Sequence, residues 1–152
     1  MTKNVSRTIL LILLGLLGVG AIGGGGVLII SPSGSLIGMP LSILDHSPFT
    51  SFLIPGILLF VVLGISPCLL VLALLRKPDS KIAERLNLFG DMHWSWSFTI
   101  YIAFALIIWI HAQTIFLQAV HWLHTLYIVW ALVILLVALL PKVRGEYRKV
   151  KG

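Results

Sequence analysis

The chain has 152 residues, of which 59 % are hydrophobic and 11 % charged, and its mean hydropathy is +1.07. A soluble domain carries about 25 % charged residues, so this composition excludes an ordinary soluble protein and predicts one that spans a lipid bilayer. The formal net charge of +6 could suggest nucleic-acid binding, but the basic residues flank apolar runs. That placement indicates membrane topology and contact with anionic lipids, and we expect no nucleic-acid partner.

The 11 basic residues fall into three clusters, and the two intervals between them, 8–75 and 86–141, contain none. Basic residues accumulate on the cytoplasmic side of a membrane, so three clusters predict four crossings with both termini in the cytoplasm. Backbone N–H and C=O groups must be paired within lipid, which makes each apolar run a helix. We therefore predict an all-α fold: one four-helix transmembrane domain over 1–152, with a long extracytoplasmic loop between helices 1 and 2.

The first span is predicted over 8–30, a run of about 34 Å at roughly 1.5 Å per residue, which is enough to cross the bilayer core. It is longer than the apolar core of a signal peptide, which favours a retained span. Gly20 and Gly24 are four residues apart and would let another helix approach closely. The alternative is that the four glycines of 23–26 loosen or end this helix.

The outer loop, 31–51, is too apolar for a freely solvated segment, so we expect it to lie in the interface or to fold over the mouth of the bundle as a lid. It holds Asp45 and His46. The second span, 52–75, contains Pro67, which should kink it, and Gly64, which could accommodate a neighbouring backbone. The lone Cys68 can form no intrachain disulfide and is interpreted as a packing residue.

The cytoplasmic linker, 76–91, is predicted to carry a short amphipathic helix on the inner leaflet. The run 92–140 contains no Gly, Pro or charged residue and is too long for one span, so it must turn. Length places the turn near 114–120, giving a third span over about 93–115, a fourth over about 120–140, and a cytoplasmic tail over 141–152. Trp94 and Trp96 at the inner end and Trp122 at the outer end suit aromatic belts.

A group of ionisable residues is predicted near the outer face: His46, His111, His121, His124 and Asp45. Two or three imidazoles with a carboxylate would suit zinc or copper, and His111 with His124 is a candidate axial pair for haem. The commoner explanation is that interfacial histidines bond to water, head groups or backbone, so no cofactor is the main expectation. His93 and His111 are 18 residues apart and share a helix face, which we expect to point into the bundle.

No phosphate-binding loop, nucleophile elbow, pair of catalytic carboxylates or zinc-protease motif is present, so no catalytic residue is assigned. The spans also lack Asp and Glu, which argues against a carboxylate-driven transporter. These absences favour a non-enzymatic protein without excluding an enzyme.

The run PSGSLIGMPLSILDHSPFTSFLIPGILLF, together with HWSW, IIWIHAQ and ALLPKVR, resembles a group of small four-span bacterial integral membrane proteins known only as hypothetical proteins, with no known activity. The resemblance covers most of the chain. It implies a multi-pass protein of the bacterial plasma (inner) membrane and implies no chemistry.

Three functions remain open. The leading hypothesis is an accessory or self-associating membrane component that binds a membrane protein partner, a second copy or lipid through the outer loop and the glycine-rich face of the first span. The second is a redox or metal-handling protein that uses the outer histidines. The third is a small-solute transporter or an oligomeric pore.

Overall fold

The computed structural model describes residues 4–149, so Lys3 and Lys151 of the basic clusters lie outside the described residues. Four helices are long and apolar enough to cross a membrane: α1 (Val5–Ile30), α2 (Leu53–Arg76), α4 (Trp94–Leu117) and α5 (Trp122–Leu139). Two short helices, α3 (Lys81–Arg85) and α6 (Pro141–Glu146), lie outside them. The predicted all-α four-helix bundle is confirmed, and the chain is a multi-pass membrane protein.

The two ends of the bundle differ in composition. We call the end formed by 4–7, 77–93 and 140–149 the basic end, and the end formed by 31–52 and 118–121 the loop end. The turn between α4 and α5 falls at the loop end, where Gln118 takes a left-handed conformation with φ of 45°. Glycine or asparagine usually occupies such a position, so the sequence did not mark this turn.

Helix α1 begins at Val5 because the Asn4 Oδ1 accepts a hydrogen bond from the backbone N–H of Arg7 at 3.4 Å. It then continues without a break through its four consecutive glycines to Ile30. Lipid explains this continuity, since a broken helix there would leave backbone groups without partners. The glycines therefore do not end the helix.

Helices α1 and α2 pack through glycines, whose missing side chains let the two backbones approach. A Cβ added at Gly25 would lie 2.7 Å from the backbone N of Phe60 and 2.8 Å from the carbonyl oxygen of Gly56. One added at Gly18 would lie 2.9 Å from the carbonyl oxygen of Gly64. Positions 18 and 25 are seven residues apart and so share one face of α1. Any side chain there would push the helices apart.

Gly20 and Gly24 lie on another face of α1. In the part of the chain that the structure describes, no atom comes within 4 Å of a Cβ built at Gly20, and Gly24 meets only the Leu59 side chain at 3.6 Å. Within this chain, the close contact is therefore made by Gly18 and Gly25 instead. Approach of a second copy at Gly20 and Gly24 stays a prediction.

Pro67 disturbs α2 through its hydrogen bonding. Proline has no N–H, and its ring clashes with the carbonyl four residues earlier in an α-helix. The segment Leu59–Ile65 before it takes π-helical hydrogen bonding, and both the N–H and the Oγ–H of Ser66 donate to the carbonyl of Val61. The disturbance at Pro67 thus takes the form of a π-helical segment within a helix that continues to Arg76.

The packed core lies towards the basic end. The buried residues of α5 are all in its second half: Ala131, Ile134, Val137 and Ala138. Trp96 is only 1 % exposed, and its Nε1–H donates to the carbonyl of Ala138 at 2.9 Å. Trp96 is therefore a core residue, and its assignment to an aromatic belt is wrong. Nearer the middle, the Trp130 Nε1–H donates to the carbonyl of Leu13 at 3.2 Å and joins α5 to α1.

A polar network closes the basic end. The last carbonyls of a helix lack partners within it, and Leu74 near the end of α2 is such a case. Its oxygen accepts from the Tyr147 hydroxyl at 3.0 Å and from the Arg7 Nη2–H at 3.0 Å, while the Arg7 Nε–H donates to the same hydroxyl at 3.1 Å. Glu146 lies 3.5 Å from Arg7. The segment after α5 is thereby attached to both α1 and α2.

The loop 31–52 folds back onto the loop end. Its two ends meet where the Phe52 N–H donates to the carbonyl of Pro32 at 2.9 Å. Gly34 has φ of +75°, and a Cβ there would collide with the carbonyl of Met39, so only glycine fits this turn. Leu44 and Phe52 are 7 % and 3 % exposed and anchor the loop on the bundle.

Candidate functional site

A pocket opens between the helices in the half of the bundle nearer the loop end. We call it the lateral pocket; it has a volume of about 220 Å³, and all four membrane helices line it. Beside it, residues 122–130 of α5 include no buried residue, so this half of α5 packs less fully than the half towards the basic end. One wall is glycine from α1, at Gly20 and Gly24, which leaves open space where larger side chains would fill it.

Most of the lateral pocket is apolar, with three polar side chains on the side nearer the loop end. They are Gln113 of α4 and His124 and Tyr127 of α5. At roughly 1.5 Å per residue, Gln113 lies about 6 Å from the end of α4 at Leu117, and Leu106, also in the wall, lies about 16 Å from it. The pocket therefore runs from near the middle of the bilayer towards the membrane surface, with its polar groups at the surface end.

A second, smaller cavity lies beneath the loop, and we call it the loop pocket. Its volume is about 80 Å³, and the loop residues Phe49 and Phe52 cover it while α4 forms its base. Phe49 meets Phe116 edge to face, with ring centroids 6.1 Å apart. Trp109 and Gln113 line both pockets, so these two side chains form the wall between them.

The predicted histidine group is only partly brought together. His121 and His124 are neighbours at the start of α5, with ring centroids 6.1 Å apart. The backbone N–H of His121 donates to the Nδ1 of His124 at 3.3 Å, so His124 serves the unpaired donors of this helix N-terminus. His111 is exposed and borders an open groove between α4 and α5 that His124 also lines. The proximity of His121 and His124 thus has a structural explanation.

The other members of that group lie on the loop surface. Asp45 and His46 are both exposed, and within residues 4–149 no group of three or more His, Cys, Asp or Glu side chains is arranged to hold a metal ion. The use of these residues for zinc, copper or haem stays a prediction. His111 is exposed, so the expected inward-facing stripe from His93 to His111 does not form along its whole length.

At the basic end, the linker residues carry the perturbed ionisable groups. Burial alone would raise the pKa of Glu84, but hydrogen bonds from Lys149, Asn87 and the Trp94 N–H outweigh it and lower that pKa. Burial lowers the pKa of His93, whose Nε2 is buried without a partner among the described residues. Burial raises the pKa of the Tyr147 phenol, which keeps it protonated as a donor. These groups fasten the basic end.

No family model, curated protein or solved structure matches this chain.

Proposed function

We propose that the protein is a non-enzymatic accessory component of the bacterial plasma membrane, with both termini in the cytoplasm, that binds a membrane-resident lipid or partner at its loop end. The three basic clusters support this orientation, because such residues accumulate on the cytoplasmic side. The loop end then faces outwards, and the lateral pocket lies in the outer half of the membrane.

One observation carries the proposal: a hydrogen-bond network joins the helices at the basic end, and an apolar pocket lies between them in the half nearer the loop end. Tyr147, Arg7 and the Leu74 carbonyl join three segments at one end. Towards the other end, the four membrane helices leave a largely apolar pocket between them, and its wall includes Gly20 and Gly24. A pocket with an apolar lining and a few polar groups is the usual form of a ligand site.

The basic end is suited to anionic lipid. Lys81 and Arg85 of α3 are exposed, and the neighbouring Ile82, Leu86 and Leu88 are 75 %, 61 % and 83 % exposed. Apolar side chains beside exposed cations on a short helix favour insertion at the interface of an anionic leaflet. This surface would hold the linker on the inner leaflet and leave the loop end as the side available for binding.

The test is retention of a ligand by the full chain, extracted with its surrounding membrane in polymer nanodiscs and released for native mass spectrometry. Gly20→Leu fills the lateral pocket without meeting the backbone of another helix, and Gly23→Leu is the matched control, because no described atom lies within 4 Å of a Cβ at either position and position 23 does not line the pocket.

We expect the natural chain and Gly23→Leu to retain a lipid or a second copy that Gly20→Leu loses. Identical retained masses for all three proteins would contradict the proposal.

A further inference from the structure

We propose that the lateral pocket binds a neutral amphiphile: one alkyl or isoprenoid chain that ends in an uncharged carbonyl or hydroxyl group. This rests on the function proposed above and names its ligand. The chain would lie along Leu17, Leu63 and Leu106, and the polar group would reach Gln113, His124 and Tyr127. The molecule would then have the ordinary orientation of a lipid in the outer half of the bilayer.

The direction of the pocket fits such a molecule. Its apolar part starts near the middle of the membrane, and its polar groups lie about 10 Å further along α4, from Leu106 to Gln113. All four membrane helices line the pocket, so it lies among the segments that lipid surrounds. At about 220 Å³ the lateral pocket is smaller than a usual ligand site of about 300 Å³ or more, so it would hold the polar group and part of the chain, with the rest of the chain among the surrounding lipid.

The polar side chains of the lateral pocket can form hydrogen bonds with a ligand. Two polar groups near the loop end of the pocket are already bonded: the Thr114 Oγ–H donates to the Ile110 carbonyl, and the His121 N–H donates to the Nδ1 of His124. By contrast, no hydrogen bond within residues 4–149 uses the Gln113 carboxamide. Gln113 is half-buried and lines the pocket, so its carboxamide is accessible to a ligand there. Gln113 and Tyr127 can each donate and accept a hydrogen bond, and the Nε2 of His124 has no partner among residues 4–149. Together these groups could bond to either a carbonyl or a hydroxyl group of the ligand.

The charge distribution selects a neutral ligand. The residues that line the lateral pocket include no Lys, Arg, Asp or Glu, and the sequence has no Lys or Arg over 8–75 or 86–141. A phosphate brought there would lose part of its hydration without gaining a cation, which disfavours its binding. An ammonium group would lack a carboxylate in the same way. An uncharged head group meets neither penalty.

The experiment compares three probes of one chain length with the purified full chain in maltoside micelles: 1-oleoylglycerol, oleyl phosphate and oleyltrimethylammonium. Retention of each probe is measured by native mass spectrometry at equal mole fraction. We expect 1-oleoylglycerol to be retained at least tenfold more than either charged probe. Gly20→Leu should abolish this retention, Gly23→Leu should keep it, and Gln113→Leu should lower it about tenfold.

The outcomes separate this inference from the proposed function. If a charged probe is retained as well as 1-oleoylglycerol, and Gly20→Leu abolishes the retention of both, the neutral-ligand inference would be overturned. The lateral pocket would still be a lipid-binding site. If the natural chain and Gly20→Leu retain every probe at the same level, both the neutral-ligand inference and the proposed function would be overturned. Gln113→Leu removes only the carboxamide, so unchanged preference in that variant, with its thermal unfolding unaltered, would contradict the role of Gln113.

Discussion

The glycine contact between α1 and α2 gives a sharp quantitative test. In Gly25→Ala, the new Cβ would lie 2.7 Å from the Phe60 backbone N, where ordinary contacts begin at 3.4 Å, so the helices must separate by roughly 0.7 Å. Overpacking of this kind costs about 1–3 kcal/mol. Alanine also favours a helix over glycine by about 1 kcal/mol, which masks part of the loss. Gly20→Ala makes the same chemical change on α1 with no described atom within 4 Å.

The helix-propensity gain is common to both variants and cancels when they are compared. We therefore expect Gly25→Ala to unfold with a free energy about 1–3 kcal/mol below that of Gly20→Ala, measured by equilibrium unfolding in mixed dodecylmaltoside and dodecylsulfate micelles. Gly23→Ala provides a second control on the same helix. Agreement of the Gly25→Ala and Gly20→Ala values to within about 0.5 kcal/mol, the usual scatter of surface substitutions, would refute the glycine interface.

Two further predictions concern the basic end. Tyr147→Phe removes a donor to the Leu74 carbonyl and should cost about 1–3 kcal/mol in the same unfolding assay; no loss would show that the network does not fasten this end. Acid should also destabilise the protein, because the pKa values of His93 and Glu84 are both lowered on folding. Stability should be lost as the pH falls below the ordinary values of 6.5 for His93 and then 4.5 for Glu84; a midpoint of thermal unfolding that stays constant or rises over that range would contradict this.

The fold could be predicted because lipid leaves few choices. Apolar runs in a bilayer must be helices, so the number of spans follows from length and from the spacing of basic clusters. The ends of the helices were predicted less well, because local features set them. Asn4 starts α1 ahead of the apolar run, and Gln118 ends α4 in a left-handed conformation that is unusual for glutamine. Pro67 indicated a disturbed helix, and its form as a π-helical segment depends on bonds such as that from Ser66 to Val61.

The lateral pocket was harder to predict than the fold, because its lining depends on how each helix is rotated about its axis. Glycine spacing alone could not distinguish the packed pair, Gly18 and Gly25, from Gly20 and Gly24 on the pocket wall. Sequence drew attention to the histidines, yet His124 uses its Nδ1 at a helix start. The lateral pocket lies between four helices, so its lining depends on how each helix is rotated, which no residue type marks. Tyr127 gave one available signal, a polar side chain one turn beyond His124.

The orientation of the loop end decides whether a ligand can enter the lateral pocket from the outer half of the membrane. In a Cys68→Ala background, the variants Asp45→Cys and Lys81→Cys place single thiols on exposed positions at opposite ends of the bundle. With a membrane-impermeant maleimide, we expect Asp45→Cys to react in intact cells and Lys81→Cys to react only after the cells are lysed. Reaction of Lys81→Cys in intact cells, with Asp45→Cys protected until lysis, would contradict the account.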